Sequence, residues 1–167
     1  MDRFADELDR PQLDVPKTMR ALVQRVKKCS VSVDGKLNSF IGIGMLIFLG
    51  VKNSDAEADA EYLAERCASL RIYNDEAGKM NLSIKDVTGE VMVVSQFTLY
   101  GDTRKGNRPS YTDAASQEEA EVLYGHFTAH LRKILGKERV ATGIFRSMMD
   151  VELVNDGPVT LMLESKN

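Results

Sequence analysis

The sequence predicts an α+β fold in a single domain: a mostly antiparallel or mixed, barrel-like β-sheet with two main helices. Three observations point there. Two stretches place apolar residues at helical spacing, several others alternate or run in β-branched blocks, and the signals between strands are hairpin turns rather than regular βαβ units.

Taken in order, residues 1–18 stand apart. Asp2, Asp6, Glu7, Asp9 and Asp14 against Arg3, Arg10 and Lys17, with Pro11 and Pro16, read as a flexible or loosely packed extension. Met19 is an alternative start, and residues 19–167 form the domain. Cys29, Val31 and Val33 alternate with Ser30 and Ser32 as a half-buried strand, and Asp34-Gly35 is a hairpin turn. The chain returns as a strand through Ile41–Val51. Ser54 and Glu57 form a capping box for a first helix with the stripe Ala56, Ala60, Leu63, Ala64, Cys67 and Leu70. Leu70–Tyr73 is a short strand that ends in a turn over Asn74–Gly78. Val91–Val94 is a continuous apolar run, the pattern of a strand buried on both faces, and it leads into Ser95-Gln96-Phe97-Thr98-Leu99. After a loop over Gly101–Asp113, Ser116 and Glu119 cap a second helix with the stripe Ala120, Leu123, Tyr124, Phe127, Leu131, Ile134 and Leu135. Val151 and Leu153, then Val159, Leu161 and Leu163, make two alternating strands joined by Asn155-Asp156-Gly157-Pro158.

With 43 % hydrophobic and 28 % charged residues the chain can bury a real core, which excludes whole-chain disorder and a collagen-like or disulfide scaffold. A formal net charge of −3 does not advertise nucleic-acid binding but leaves room for a local basic patch. Cys29 and Cys67 lack a CxxC partner and read as reduced thiols. No apolar run reaches the roughly 18 residues of a membrane helix, and the acidic start has no signal-peptide core. A soluble cytoplasmic protein with no membrane partner is expected.

Several residue groups carry possible chemistry. His126 and His130, four apart on the second helix, could grip a metal, but they lack the Glu of HExxH and fall on the polar side and rim of the stripe, as surface histidines do. No nucleophile faces them, which argues against a triad. Gly42 and Gly44 mark a bulge or close backbone approach, not a dinucleotide fingerprint. Arg104, Lys105 and Arg108 lie in the most basic loop, flanked by Tyr100 and Tyr111. That is either a phosphate-and-base surface or a solvated loop. Ser95, Gln96 and Thr98 put three hydrogen-bonding side chains at the end of a buried strand, where ligands often meet sheets. Gly157-Pro158 opens a strand, where proline removes a ladder donor; a plain hairpin turn or a cis bond both fit.

Together, Ser95-Gln96-Phe97-Thr98-Leu99 and Asn155-Asp156-Gly157-Pro158-Val159-Thr160 resemble the paired signatures of the D-aminoacyl-tRNA deacylases. Met19-Arg20-Ala21-Leu22-Val23-Gln24-Arg25-Val26, Gly106-Asn107-Arg108-Pro109-Ser110 and Gly143-Ile144-Phe145 match further segments, so the resemblance spans Met19 to about Ser165. It implies a homodimeric hydrolase that cleaves the ester joining a D-amino acid, or glycine, to the terminal adenosine of tRNA, with no metal or other cofactor. It further implies that Gly157 and Pro158 form a cis peptide reaching into the partner's pocket. Their backbone carbonyls would meet the substrate's α-amino group and crowd out an L side chain. Ser95, Gln96 and Thr98 are the implied catalytic positions, and Phe97 and Phe145 would shape the substrate site. Arg104, Lys105 and Arg108 would meet tRNA. Thr98 is expected to position rather than attack, because no base is placed to activate it. Arg146-Ser147 stands where the family commonly has Gly-Ala, and a cation there either assists RNA binding or crowds the pocket.

Other readings are an L-alanyl-tRNA editing deacylase, disfavoured by Ser95 and Phe97, a non-catalytic nucleic-acid-binding module, and a histidine-based metal hydrolase.

Overall fold

The computed structural model describes residues 18–165. Apart from Thr18, the extension expected over residues 1–18 lies outside them. The organising strand is β1 (Arg20–Val33). One of its edges pairs antiparallel with β2 (Lys36–Ile41) and β3 (Gly44–Gly50), and the other with β8 (Asp150–Glu164). Beyond β3 the sheet continues in parallel through β6 (Glu90–Ser95) to β7 (Val140–Thr142). The Ser39 hydroxyl and the Asn38 amide of β2 donate to the Thr142 carbonyl of β7 at 2.8 and 3.1 Å. These bonds bring the two ends of the sheet together into a nearly closed barrel.

Helices α1 (Glu57–Ser69) and α2 (Gln117–Leu135) pack on each other over one face of the sheet. A small hairpin, β4 (Tyr73–Asn74) and β5 (Met80–Leu82), follows α1. Both helices are crossovers between parallel neighbours, β3 to β6 and β6 to β7. This corrects the expectation of hairpins rather than βαβ connections. The first connection is lengthened by the β4–β5 hairpin, so the sequence shows no regular βαβ period.

Two cores result. The helix-side core joins Ala21, Val23, Met45, Ile47, Leu49, Val91 and Val93 to the α1 and α2 stripes. The barrel-side core holds Val26, Cys29, Val31, Ile41, Leu46, Met92 and Val94. The run Val91–Val94 is thus buried on both faces, as its composition predicts. In β1, odd-numbered residues serve the helix side up to Val23, yet Cys29 and Val31 serve the barrel side. A register shift between Val26 and Lys28 adds one residue and turns the strand over. Tyr124 of α2 donates its hydroxyl to the Val93 carbonyl at 2.9 Å, and burial pushes that phenol up to about 12. Cys29 and Cys67 are buried free thiols, pushed by desolvation up to about 11 and about 12. Among the described residues no helix is long and apolar enough to cross a membrane.

Other local expectations need correcting. The returning strand is two strands, broken at Gly42-Ile43. Gly44 then lies so close to β6 that a Cβ would stand 1.7 Å from the Glu90 carbonyl oxygen, the close approach expected of a glycine there. Ser54 does not cap α1. Its backbone is left-handed (φ 70°) and its hydroxyl turns to the Asn53 carbonyl, while Ala56 begins the helix and the Asp59 carboxylate accepts its N–H at 2.8 Å. Leu70–Tyr73 is not a strand; only Tyr73 enters β4. Ser116 caps α2 as expected, accepting from the Glu119 N–H at 3.3 Å.

Candidate active site

Parallel strands β3, β6 and β7 end together, and their C-terminal ends are where a sheet of this kind meets ligands. At the end of β6 the chain leaves Ser95 and, after Gln96, enters a 3₁₀ turn, Phe97–Tyr100. Past Ser95 the chain leaves the sheet: the Gln96 N–H makes the last ladder bond, to the Leu49 carbonyl at 2.8 Å, and the Leu99 N–H turns back to the Gln96 carbonyl at 3.3 Å. Phe97 and Thr98 are exposed at its tip, Phe97 by 56 %. The Gln96 side-chain amide donates to the Thr98 hydroxyl. The Phe97 ring meets Tyr111 edge-on at 5.1 Å.

The turn is braced from behind. The Tyr100 hydroxyl donates to the Thr18 carbonyl at 2.6 Å, with the Gly50 carbonyl at 3.0 Å. Gly50 has no room for a side chain, since a Cβ would sit 2.9 Å from the Tyr100 ring. Arg20 donates to the Leu99 carbonyl at 3.0 Å and lies 5.0 Å over the Tyr100 ring. Tyr100 is thus buried, its phenol raised by desolvation, and does not flank the basic loop as an open aromatic face. Its apolar ring fills the gap that Gly50 leaves.

Beside the turn, Asp102 and Ser110 close the basic loop with backbone bonds of 2.8 and 2.9 Å. Arg104 is bidentate to Asp102 at 2.9 and 2.8 Å, which holds the Asp102 carboxyl well below the usual range. Lys105 and Arg108 are exposed on the same loop. From β7, the Gly143 N–H donates to the Val93 carbonyl at 3.1 Å and leads to Phe145, whose half-buried ring lies 5.8 Å from Tyr124. An open cavity of about 440 Å³ is lined by Lys52, Asp55, Glu118, Glu119, Val122 and Leu123, between the end of β3 and the start of α2. Asp55 accepts from the Lys52 N–H at 2.6 Å, and burial raises its carboxyl to about 6.

Gly157 and Pro158 lie elsewhere. They do not form a hairpin turn: β8 is one strand that runs past them. Opposite Gln24–Val26 of β1, β8 spans Asn155–Thr160, so the surplus residues bulge out of the ladder and expose Gly157 and Pro158. The Gly157-Pro158 bond is cis. Arg25 holds the bulge. Its side chain, 9 % exposed, donates to the Asp156 carbonyl at 3.1 Å and the Ile72 carbonyl at 2.6 Å, and pairs with the Asp156 carboxylate at 3.4 Å. The Asn155 amide donates to the Arg25 and Val159 carbonyls at 2.9 and 3.0 Å.

Within one chain, then, Ser95–Thr98 lie at the end of β6 and Phe145 follows Gly143, which bonds β6 at Val93, whereas Gly157-Pro158 lies apart on β8. Ser95 pairs with Leu49, Leu49 with Ala21, and the bulge lies one strand further and four residues along at Arg25. At ideal spacings, three strand steps make about 14 Å across the sheet and four residues about 13 Å along it. The sequence reading missed Arg25 and Arg20, and set Tyr100 beside the basic loop rather than beneath the turn. Arg25 left a signal, a charge in phase with Ala21 and Val23 on the apolar face of a strand. His126 and His130 face Glu57 and Glu65 of α1, at 3.4 and 2.9 Å.

A family model described as D-Tyr-tRNA(Tyr) deacylase matches residues 22–164. A D-aminoacyl-tRNA deacylase of Koribacter versatilis (strain Ellin345) is 57 % identical over 149 residues, covering 89 % of this chain and 98 % of that one. One from Dictyoglomus turgidum is 54 % identical over 149 residues, 89 % of this chain and 94 % of that one. Among solved structures, the c-Myc DNA Unwinding Element Binding Protein superposes with a TM-score of 0.84 at 40 % identity, over 89 % of this chain and 99 % of its own. A probable eukaryotic D-amino acid tRNA deacylase shares the fold with a TM-score of 0.78 at 16 % identity, over 88 % of this chain and 99 % of its own.

Proposed function

Because the chain belongs to the D-Tyr-tRNA(Tyr) deacylase family, we infer that it hydrolyses the ester of D-aminoacyl-tRNA, and we propose the following division of labour. The ester lies against the Ser95–Thr98 turn. Backbone N–H groups there receive the developing oxyanion, and the Ser95, Gln96 and Thr98 side chains fix the ester's position. Thr98 does not attack. Its oxygen already accepts the Gln96 amide, and both described histidines are engaged with α1. With neither described histidine placed to take the threonine proton, water assisted by the substrate's ribose 2′-hydroxyl is the better nucleophile. Phe97 and Phe145 shape the terminal nucleoside's site, and Lys105 and Arg108, with Arg104 pinned to Asp102, face the tRNA.

Chirality is read by Gly157 and Pro158 of a second copy, whose backbone carbonyls meet the α-amino group where an L side chain would clash. Glycine, lacking a side chain, is accepted as well. Supporting this reading is a single geometric fact: the exposed bulge is rigidly pinned, yet stands too far from the Ser95–Thr98 turn of its own chain to act there. A homodimer in the cytoplasm, where charged tRNA is met, follows from the same reading.

The test compares D-tyrosine and L-tyrosine release from matched charged tRNAs with a chelator present. Only the D ester should be lost. Thr98→Ala should slow turnover by about 10²-fold or less, a positioning loss, rather than the roughly 10⁶-fold of a deleted nucleophile. A second reading, a nucleic-acid-binding module without turnover, is favoured only by the name of the solved relative at 40 % identity. Survival of both esters while tRNA still binds would select it.

A further inference from the structure

Of the described non-glycine residues with left-handed backbone, Asp34, Ser54 and Thr88 carry short polar side chains, and Arg146 (φ 66°) carries a long charged one. A long side chain in that conformation is uncommon and directs attention to what it does. Arg146 follows Gly143 by three residues, and Gly143 bonds β6 at Val93, two residues before Ser95. Its guanidinium lies 6.0 Å over the Phe145 ring, and its Nη2 is 3.4 Å from Oε1 of Glu118 on the first turn of α2. The Arg146 side chain is 42 % exposed and that of Glu118 80 %. A long, solvated ion pair of this kind orients a side chain but holds it weakly.

The surroundings make the position matter. The whole chain has a formal charge of −3, so attraction for a polyanion must be local. Glu118, Glu119 and Asp55 line the adjoining cavity and would repel a phosphate chain, with Lys52 alone opposing them along that lining. Across the turn, Arg104 is already neutralised by Asp102. Phosphate oxygens bind a guanidinium in short, paired, charge-assisted bonds that the Glu118 contact does not match.

We propose that Arg146 binds a backbone phosphate of the single-stranded 3′ end of the RNA substrate, with Glu118 holding the guanidinium over Phe145 until the RNA displaces it. The proposal rests on the aminoacyl-tRNA reading above and assigns to that site a specific anion contact.

The measurement is steady-state deacylation of D-tyrosyl-tRNA over about 50 to 200 mM salt. Arg146→Gly suits the left-handed backbone and should fold. It should raise KM about tenfold, the worth of one such contact, with kcat within about twofold, and lower the salt slope of log KM by about 0.7. Arg146→Lys should fall between the two. Glu118→Gln should lower KM in the wild-type background, and by less beside Arg146→Gly, where only its general repulsion is removed. Equal KM and salt slope in Arg146→Gly and wild type would overturn the proposal. Should the wild-type chain turn over no ester, the same titration is read with uncharged tRNA. Weaker binding by Arg146→Gly there upholds the contact while the deacylase reading falls, and equal or absent binding overturns the contact too.

Discussion

The Ser95–Tyr100 turn and the Asn155–Pro158 bulge both interrupt strands to present polar atoms, and they are held in different ways. Behind the turn stands a buried ring: Tyr100 fills the space left by Gly50, its hydroxyl caps two carbonyls, and Arg20 lies over its face. Behind the bulge stands a charge. Arg25 ties the Asp156 and Ile72 carbonyls, and the Asn155 amide spans the gap in the ladder. A ring holds by shape and suffers little when a charge changes. A buried guanidinium holds by donors, and without them its carbonyl partners are left unpaired. The turn should therefore be sensitive to volume and the bulge to charge.

The largest effect should come from Arg25→Met, which keeps volume and removes the donors. Stripping one side of a buried charged network should cost about 3 kcal/mol of stability and abolish the preference for D over L esters. Urea unfolding and the paired-ester assay read the two consequences. Stability equal to wild type would mean that the bulge is held by the Asn155 amide alone. Next is Tyr100→Phe, which keeps the ring and removes only the hydroxyl. About 1–2 kcal/mol should be lost, with the ester preference intact; a lost preference would show that the two regions are not independently braced.

The smallest effect is one of pH, and it sharpens the contrast within the turn's own neighbourhood. Burial raises the Asp55 carboxyl to about 6, above its ordinary 3.8. The folded chain then binds more protons than the unfolded one between those values. Its stability therefore declines as pH rises from about 4 to about 6. Asp102, lowered by Arg104, contributes in the opposite sense, with stability present above the ordinary value and lost as pH falls below it. Unfolding midpoints across pH 3–7 should lose the first slope in Asp55→Asn. An unchanged profile would mean that the Asp55 carboxyl titrates normally.

How much of this was legible in the sequence follows from what is local. Val91–Val94, the Ser116 cap and the Asp34-Gly35 turn depend on residues close in the chain, and each was readable. The start of β1 was not, because Arg25 occupies its apolar face and Lys27 and Lys28 are both exposed where the register shifts. Nor was β8: Asn155–Pro158 has the composition of a turn, and only pairing with β1 on both sides makes it a bulge. The site divides the same way. Ser95–Thr98 was marked by its place after a buried run, whereas Arg25, Arg20 and Tyr100 act on residues from 47 to 131 positions away.

Both braces draw on β1, since Arg20 serves the turn and Arg25 the bulge. Five residues of extended chain fix their spacing at about 17 Å. Adding or deleting one residue between them would swap every side chain beyond it to the opposite face: an insertion would put Arg25 in Val26's place in the barrel-side core, and a deletion would bring Val26 to the Ile72 carbonyl. Over evolutionary time, insertions and deletions are therefore shut out of Arg20–Arg25. Length can drift at the Asp34-Gly35 tip, where nothing within 4 Å would meet a larger residue at Gly35, so relatives of different length should align without a gap through the one strand that both motifs share.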